Sequence, residues 1–223
     1  MENENYVPWT TNMLDEELVE KILQIYMKKT YTKGQMIYKQ GEISNKIYLL
    51  LKGRIEVNMI SKGGKKVIFG IHEPKCLFGE LILDNSPRLT TAVCLTDVTV
   101  AVLDNSLVLG SDYHEKKLYK ALLYATGYKL KAQIQQLSEQ LFEAAEERVE
   151  NLLLGLCKNF GREKQGYIEV DIPLTHQTIA DLTGCSRPTV SLILKDLSRR
   201  KNITMERNKL IFAKDLNRGG QDS

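Results

Sequence analysis

The hydrophobic period of this chain switches near residue 112 from short strand-like runs to a long helical stretch, and that switch limits the folds open to it. From Thr30 to about Leu103 the apolar residues come in short β-type runs, QMIYKQ, KIYLLLKG, RIEVNMI, KKVIFGI, TTAVCL and VTVAVL, separated by Gly34, Gly41, Gly53 and the Gly63-Gly64 turn. Many short strands at near-regular spacing predict a β-sandwich or roll. After Asp112, Leu123, Leu130, Ile134, Leu137, Leu141 and Ala144 fall at alternating steps of four and three once Gly127 is counted in the register. That spacing predicts one long helix with a narrow a/d seam of the kind that pairs with another helix, and Leu130, Ile134, Leu137 and Leu141 are its candidate dimer contacts. The alternative is a helix packed on the chain's own roll through Tyr119, Tyr124 and Tyr128. Ahead of the strands, Leu18, Ile22, Leu23 and Ile25 within DEELVEKILQIYMK predict a short amphipathic helix.

The last third has a third pattern, PLTHQTIADLTGCSRPTVSLILKDLSRRKNITMERNKLIFAK. It reads as a capped helix from about Thr175, a tight turn at Thr183-Gly184, a second helix from Ser186 and a hairpin around Glu206-Arg207-Asn208. Helix, Gly-containing turn, helix and strand pair is the order of a winged helix-turn-helix. Ser186 as N-cap puts Arg187 and Pro188 at the first two helical positions, where a missing proline N–H breaks no intrahelical bond. Arg187 then projects from the end that enters a major groove and can donate two hydrogen bonds to guanine O6 and N7. Ser186 and Thr189 can donate to phosphates. Val190, Ile193, Leu194 and Leu197 keep core spacing on the opposite face. Lys195, Arg199, Arg200 and Lys201 lie towards the C-terminus, as phosphate contacts or as solvated charge that offsets the helix dipole.

The charge distribution agrees. Residues 148–223 hold 13 Lys+Arg against 9 Asp+Glu, whereas the rest of the chain holds 18 against 19. A basic C-terminal third suits double-stranded DNA as partner. No apolar stretch reaches the length of a membrane span, and the acidic, polar start MENENYVPWTTNML does not read as a signal peptide, so a cytoplasmic location without membrane association is expected. Cys76, Cys94, Cys157 and Cys185 are scattered with no CxxC pair, the pattern of reduced thiols rather than of a zinc ribbon, a cluster or a disulfide framework.

These residues resemble the CRP/FNR superfamily of bacterial transcription regulators. IADLTGCSRPTVSLILKDL is similar to its helix-turn-helix, while KGQMIYKQGEISNKIYLLLKGRIEV and FGELILDNSPRLTTAV are similar to its effector-binding β-roll. The resemblance implies an α+β chain in three parts. An N-terminal double-stranded, jelly-roll-like β-roll spans residues 1–112, a long dimerisation helix 113–147 and a C-terminal winged helix-turn-helix 148–223. It further implies a homodimeric activator that binds a two-fold related DNA site, responds to a small-molecule effector and works with RNA polymerase.

Carried over position by position, the match is uneven. Arg187 matches a guanine-reading arginine of the cyclic-AMP branch, but Pro188 stands where that branch has a base-reading glutamate and Leu192 where it has a second arginine. Ser191 can still reach a base, Leu192 can touch a thymine methyl, and Thr175, His176 and Gln177 match positions near the phosphate backbone. Glu80 and Arg88 match the residues that hold the ribose hydroxyl and the cyclic phosphate, a task for charge-assisted bonds. Around them Ile82 replaces a small residue, Leu89 a serine or alanine, and Gln133 with Ile134 the paired hydroxyls that meet adenine. Larger apolar groups there add clash and desolvation without new hydrogen bonds, so an effector other than cyclic AMP is expected, with Glu80 and Arg88 then free to pair with each other.

Other chemistries find less support. The first cysteine is Cys76, so the N-terminal cysteine cluster of an iron–sulfur sensor is missing, and His72, His114 and His176 form no ligand pair. No metal site is expected, no motif identifies a cofactor, and a cupin-type enzyme would need a histidine companion near His72. A nucleotide-sensing module without DNA binding is the other rival, separable by a salt-dependent shift of DNA.

Overall fold

The computed structural model describes residues 9–10, 14, 16–82, 86–104, 113–164, 166–170, 172, 174–200, 203–206 and 209–213. They form two compact units, one of Pro8–Ile134 and the other built on Gln135–Ser223. In the first unit the strands are β1 (Trp9–Thr10), β2 (Lys28–Tyr31), β3 (Met36–Tyr38), β4 (Lys46–Lys52), β5 (Ile55–Ile60), β6 (Lys66–His72), β7 (Leu77–Phe78), β8 (Thr91–Cys94) and β9 (Val98–Asp104). Helix α1 (Glu16–Ile25) lies between β1 and β2. The strands make a five-stranded sheet, β1-β6-β5-β8-β3, and a four-stranded one, β2-β9-β4-β7. All pairs are antiparallel except β1 with β6. This is the double-stranded roll expected from the short, Gly-punctuated runs.

Alternation along β4 and β9 explains the core. Tyr48, Leu50, Val98 and Val100 point between the sheets, where they meet Ile37, Tyr38, Ile55, Phe78, Ala92 and Cys94. Ile47, Leu49, Ala101 and Leu103 point the other way, onto Leu14, Ile22, Leu118 and Leu122. Both faces of these strands are therefore covered, which is why KIYLLLKG is a continuous apolar run and not an alternating one.

The turn between β4 and β5 packs closely on the turn between β8 and β9. Gly53 has φ +87°, and a Cβ there would lie 2.2 Å from the Asp97 carbonyl oxygen. Gly53→Ala is expected to destabilise the unit by roughly 1–3 kcal/mol, read from the urea midpoint, because left-handed backbone and a backbone clash act together.

Helix α2 (Tyr113–Phe142) begins in the first unit and continues into the second. Leu118, Leu122, Ala125 and Ala132 are buried, Tyr128 is half-buried, and Tyr119 and Tyr124 are exposed, so those two tyrosines are not what seats it on the roll. Leu123, Leu130, Ile134, Leu137 and Leu141 are exposed. The helix expected over 113–147 stops at Phe142. Ala144 is extended, and its N–H donates to Glu147 Oε2 at 2.8 Å, which starts α3 (Ala145–Phe160) and takes Ala144 out of the seam.

The second unit adds β10 (Gly161–Lys164), β11 (Tyr167–Val170), α4 (His176–Thr183), α5 (Arg187–Arg200), β12 (Ile203–Glu206) and β13 (Lys209–Ala213). Its sheet is antiparallel in the order β10-β11-β13-β12. Glu206 pairs with Lys209 across the β12–β13 hairpin, and the expected tip at Arg207-Asn208 lies outside the described residues. The β10–β11 pair was not legible in the sequence, since β10 is exposed along its whole length and carries no apolar alternation. No helix among the described residues is long and apolar enough to cross a membrane.

Candidate DNA-reading helix and effector cavity

The helix pair is built from its caps. Thr175 Oγ1 accepts from the Thr178 N–H at 3.0 Å and opens α4. Gly184, left-handed at φ 71°, closes it and turns the chain towards α5. Ser186 Oγ then accepts from the Thr189 N–H at 3.2 Å and shares a 2.7 Å hydrogen bond with Thr189 Oγ1. Val190, Leu194 and Leu197 bury one side of α5, and Ile193 is half-buried at its margin.

The sequence-selected polar residues divide into two groups. Ser191 Oγ donates to the Arg187 carbonyl at 3.0 Å and lies 2.8 Å from His176 Nδ1, while Gln177 Nε2 donates to Asp181 Oδ1 at 2.7 Å. With the Thr175, Ser186 and Thr189 hydroxyls engaged in caps, these side chains have partners inside the unit. Arg187, Pro188 and Lys195 are exposed, and the Arg187 guanidinium has no ion-pair partner among the described residues. Arg200 pairs with Glu146 and Asp196, so its role includes tying α5 to α3, and Lys201 lies outside the described residues.

Arg148 escaped sequence reading. Its guanidinium donates to the Thr183 carbonyl at 3.1 Å and to the Glu143 carbonyl at 2.7 Å, and reaches Cys185 Sγ at 3.5 Å. Gln136 Nε2 donates to the Leu182 carbonyl at 2.6 Å. Within the second unit the end of α2 is thus fastened to the turn that aims α5. Nothing in the local sequence distinguishes Arg148 from a surface cation of an amphipathic helix.

In the first unit a cavity of about 390 Å³ lies between the roll and α2. Its walls are mainly apolar, among them Val57, Phe69, Phe78, Leu81 and Leu89, and α2 supplies Thr126, Lys129, Leu130 and Gln133. Glu80, Ile82, Arg88, Leu89 and Gln133 all line it, as the sequence suggested. Ile134 does not: it is exposed on the outer side of α2, one residue round the helix from Gln133. Gln133 Nε2 donates to the Phe69 carbonyl at 2.7 Å. Ile82 is fully buried and also belongs to the core beneath α1 and α2.

The expected Glu80–Arg88 pair does not form. Glu80 Oε1 instead meets Lys129 Nζ at 2.9 Å, and the same ammonium donates to the Leu77 carbonyl at 2.6 Å. Arg88 is 3% exposed and donates to the carbonyls of Gly79, at 2.5 Å, and Lys46, with Ser44 Oγ at 3.2 Å. Its guanidinium carbon stands 4.2 Å from the centre of the Tyr38 ring. Backbone carbonyls, a serine hydroxyl and an aromatic face engage its two terminal nitrogens and its plane, while its buried Nε has no hydrogen-bond partner among the described residues. Burial pushes the Tyr38 and Tyr48 hydroxyls up to about 12, so both stay protonated donors.

His72 on the cavity wall is buried, and its Nδ1 has no hydrogen-bond partner among the described residues. Burial, then the nearby Lys129 charge, holds its pKa well below the ordinary 6.5. The unfolded chain therefore takes up a proton that the folded chain refuses, and stability falls as pH drops below about 6.5. His72→Gln is expected to flatten that part of the profile, measured as melting temperature against pH. Cys94 is buried, and burial followed by Asp97 raises its thiol to about 11, which leaves little thiolate for redox chemistry. Among the described residues no His/Cys/Asp/Glu cluster is grouped to hold a metal ion, and the side chain of His114 lies outside the description.

Comparison with known proteins assigns both halves. Residues 28–109 match the cyclic nucleotide-binding domain family, and residues 147–218 the Crp-like helix-turn-helix domain family. A CRP-like cAMP-activated global transcriptional regulator of Mycobacterium tuberculosis is 27% identical over 184 residues, 82% of each chain. The c-di-GMP responsive global regulator CLP of Xanthomonas campestris superposes with a TM-score of 0.79 at 17% identity, over 89% of this chain and 99% of that one. CprK complexed with OCPA gives a TM-score of 0.72 at 20% identity, over 93% of both chains. These two are likenesses of fold. The members of this family are regulators and not enzymes. Two family domains in this order, matching more than two thirds of the sequence, place the chain in the CRP/FNR family of transcription regulators.

Proposed function

We propose that the chain is a cytoplasmic homodimer that reads a two-fold symmetric promoter site through α5, contacts RNA polymerase as an activator and is switched by a small molecule other than cyclic AMP. The observation that carries the DNA reading is the capped, exposed N-terminus of α5, where Arg187 has no ion-pair partner among the described residues and stands near side chains whose polar groups are already engaged. A helix end of this kind presents an arginine to guanine and N–H groups to phosphate. Thr175, His176, Gln177, Ser186, Thr189, Ser191 and Lys195 flank it as the backbone-facing and groove-facing set.

The effector reading rests on the cavity. A cyclic phosphate would have to displace the Gly79 and Lys46 carbonyls from Arg88, and a ribose would have to separate Glu80 from Lys129. An apolar acid needs only one of these changes, since its carboxylate would draw Lys129 of α2 away from Glu80 while Arg88 keeps its carbonyls. Such a ligand would bias α2, the element that continues towards the DNA-reading unit, and only a ligand that binds one arrangement better shifts the population. The cyclic nucleotide-binding family match favours the second reading, a cyclic-nucleotide effector.

Thermal-shift screening separates the two. A matching apolar acid at a hundredfold its dissociation constant is expected to add about 2.7 kcal/mol, or roughly 5–10 °C, and Lys129→Met to abolish the gain. Strong stabilisation by cyclic AMP, lost in Arg88→Ala, would overturn the effector reading.

A further inference from the structure

The outward stripe of α5 carries a feature that arginine-to-guanine reading does not use. Pro188, Leu192, Lys195 and Arg199 are spaced i, i+4, i+7 and i+11, opposite the buried Val190, Leu194 and Leu197. All four are exposed, and Leu192 is 70% exposed. The first two turns of that stripe are therefore apolar and the later turns cationic. An exposed leucine contributes nothing to the core of the second unit, and its place on the outward stripe one turn after Pro188, in the N-terminal half of the helix that would enter the groove, gives it a partner.

We infer that Leu192, with Pro188 beside it, reads the 5-methyl group of a thymine. The inference rests on the DNA-binding reading above. In the major groove only thymine presents a methyl, and that methyl takes no hydrogen bond, so an apolar side chain is the group that distinguishes it. The polar neighbours cannot take over the task. Ser191 Oγ is held between the Arg187 carbonyl and His176, and Thr189 Oγ1 is held by Ser186. Each half-site then contains a guanine opposite Arg187 and a thymine opposite Leu192, and the cations of the later turns face phosphate.

The test uses the full chain to select duplexes from a randomised pool, then replaces each thymine of the selected half-site singly by deoxyuridine. That change removes the methyl and keeps the base pairing. One position per half-site is expected to lose about fourfold in affinity, the worth of one buried methyl-sized group, and about fifteenfold when both half-sites are changed. Leu192→Ala, at an exposed position, is expected to bind the thymine and uracil duplexes alike there. Equal losses in the two proteins, or no loss at any position, overturn the inference and leave the selected inverted repeat, and with it the DNA-binding reading, in place. A pool from which nothing is enriched overturns both.

Discussion

Arg187→Ala is expected to abolish most of the sequence preference while leaving the weak, salt-sensitive grip on DNA. A bidentate arginine–guanine contact is worth about 1–3 kcal/mol of discrimination, so a two-fold site loses roughly 2–6 kcal/mol, on the order of 30-fold to 20,000-fold. The residual binding comes from phosphate contacts, which Arg187 does not supply. It is expected to keep its dependence on salt, whereas Lys195→Ala lowers the salt slope by about two, one for each half-site, with little change in preference. Binding isotherms on a specific and a scrambled duplex at two salt concentrations check both statements. An unchanged specific isotherm for Arg187→Ala contradicts the role given to α5. The fold is not at stake, because the side chain is exposed and makes no ion pair with any described residue.

Leu137→Lys is expected to convert a dimer into monomers. Leu130, Ile134, Leu137 and Leu141 are each more than half exposed in the single chain, although they repeat at the four-three spacing of a helix-pairing seam. A row of leucines in water at that spacing is the signature of a surface covered by a second helix. Each lost leucine contact removes about 2 kcal/mol from each side, so the dissociation constant rises by about a thousandfold. Sedimentation at micromolar concentration reads the result. A monomer for the unmodified chain contradicts the assembly, and a dimer for Leu137→Lys moves the interface elsewhere.

Much of this architecture was legible because its determinants are local. The capping hydroxyls of Thr175 and Ser186, the left-handed Gly184 between them and the apolar stripe of α5 are each encoded within a few residues. The strands of the roll were readable from their runs, and their Gly boundaries from turn chemistry. The effector cavity was legible only in part. Sequence identified Glu80 and Arg88 but not their partners, because those partners are a lysine some fifty positions away on α2, two backbone carbonyls and the face of Tyr38. Gln133 and Ile134 part company within the single chain. Adjacent residues on a helix face about 100° apart, so Gln133 turns into the cavity and Ile134 turns out to the seam. The break at Glu143-Ala144 was missed because a continuous four-three spacing of apolar residues outweighs a single alanine in a periodicity reading.

In the proposed dimer two copies of α5 read two related half-sites at once. The most direct measurement compares the affinity of the full chain for an enriched duplex carrying both half-sites, one helical turn apart, with its affinity for the same duplex after one half-site is scrambled. Simultaneous reading requires a loss of about a hundredfold or more, since several base pairs at about 1–3 kcal/mol each are forfeited together. Equal affinity for the two duplexes would show that a single helix binds alone and would contradict the account.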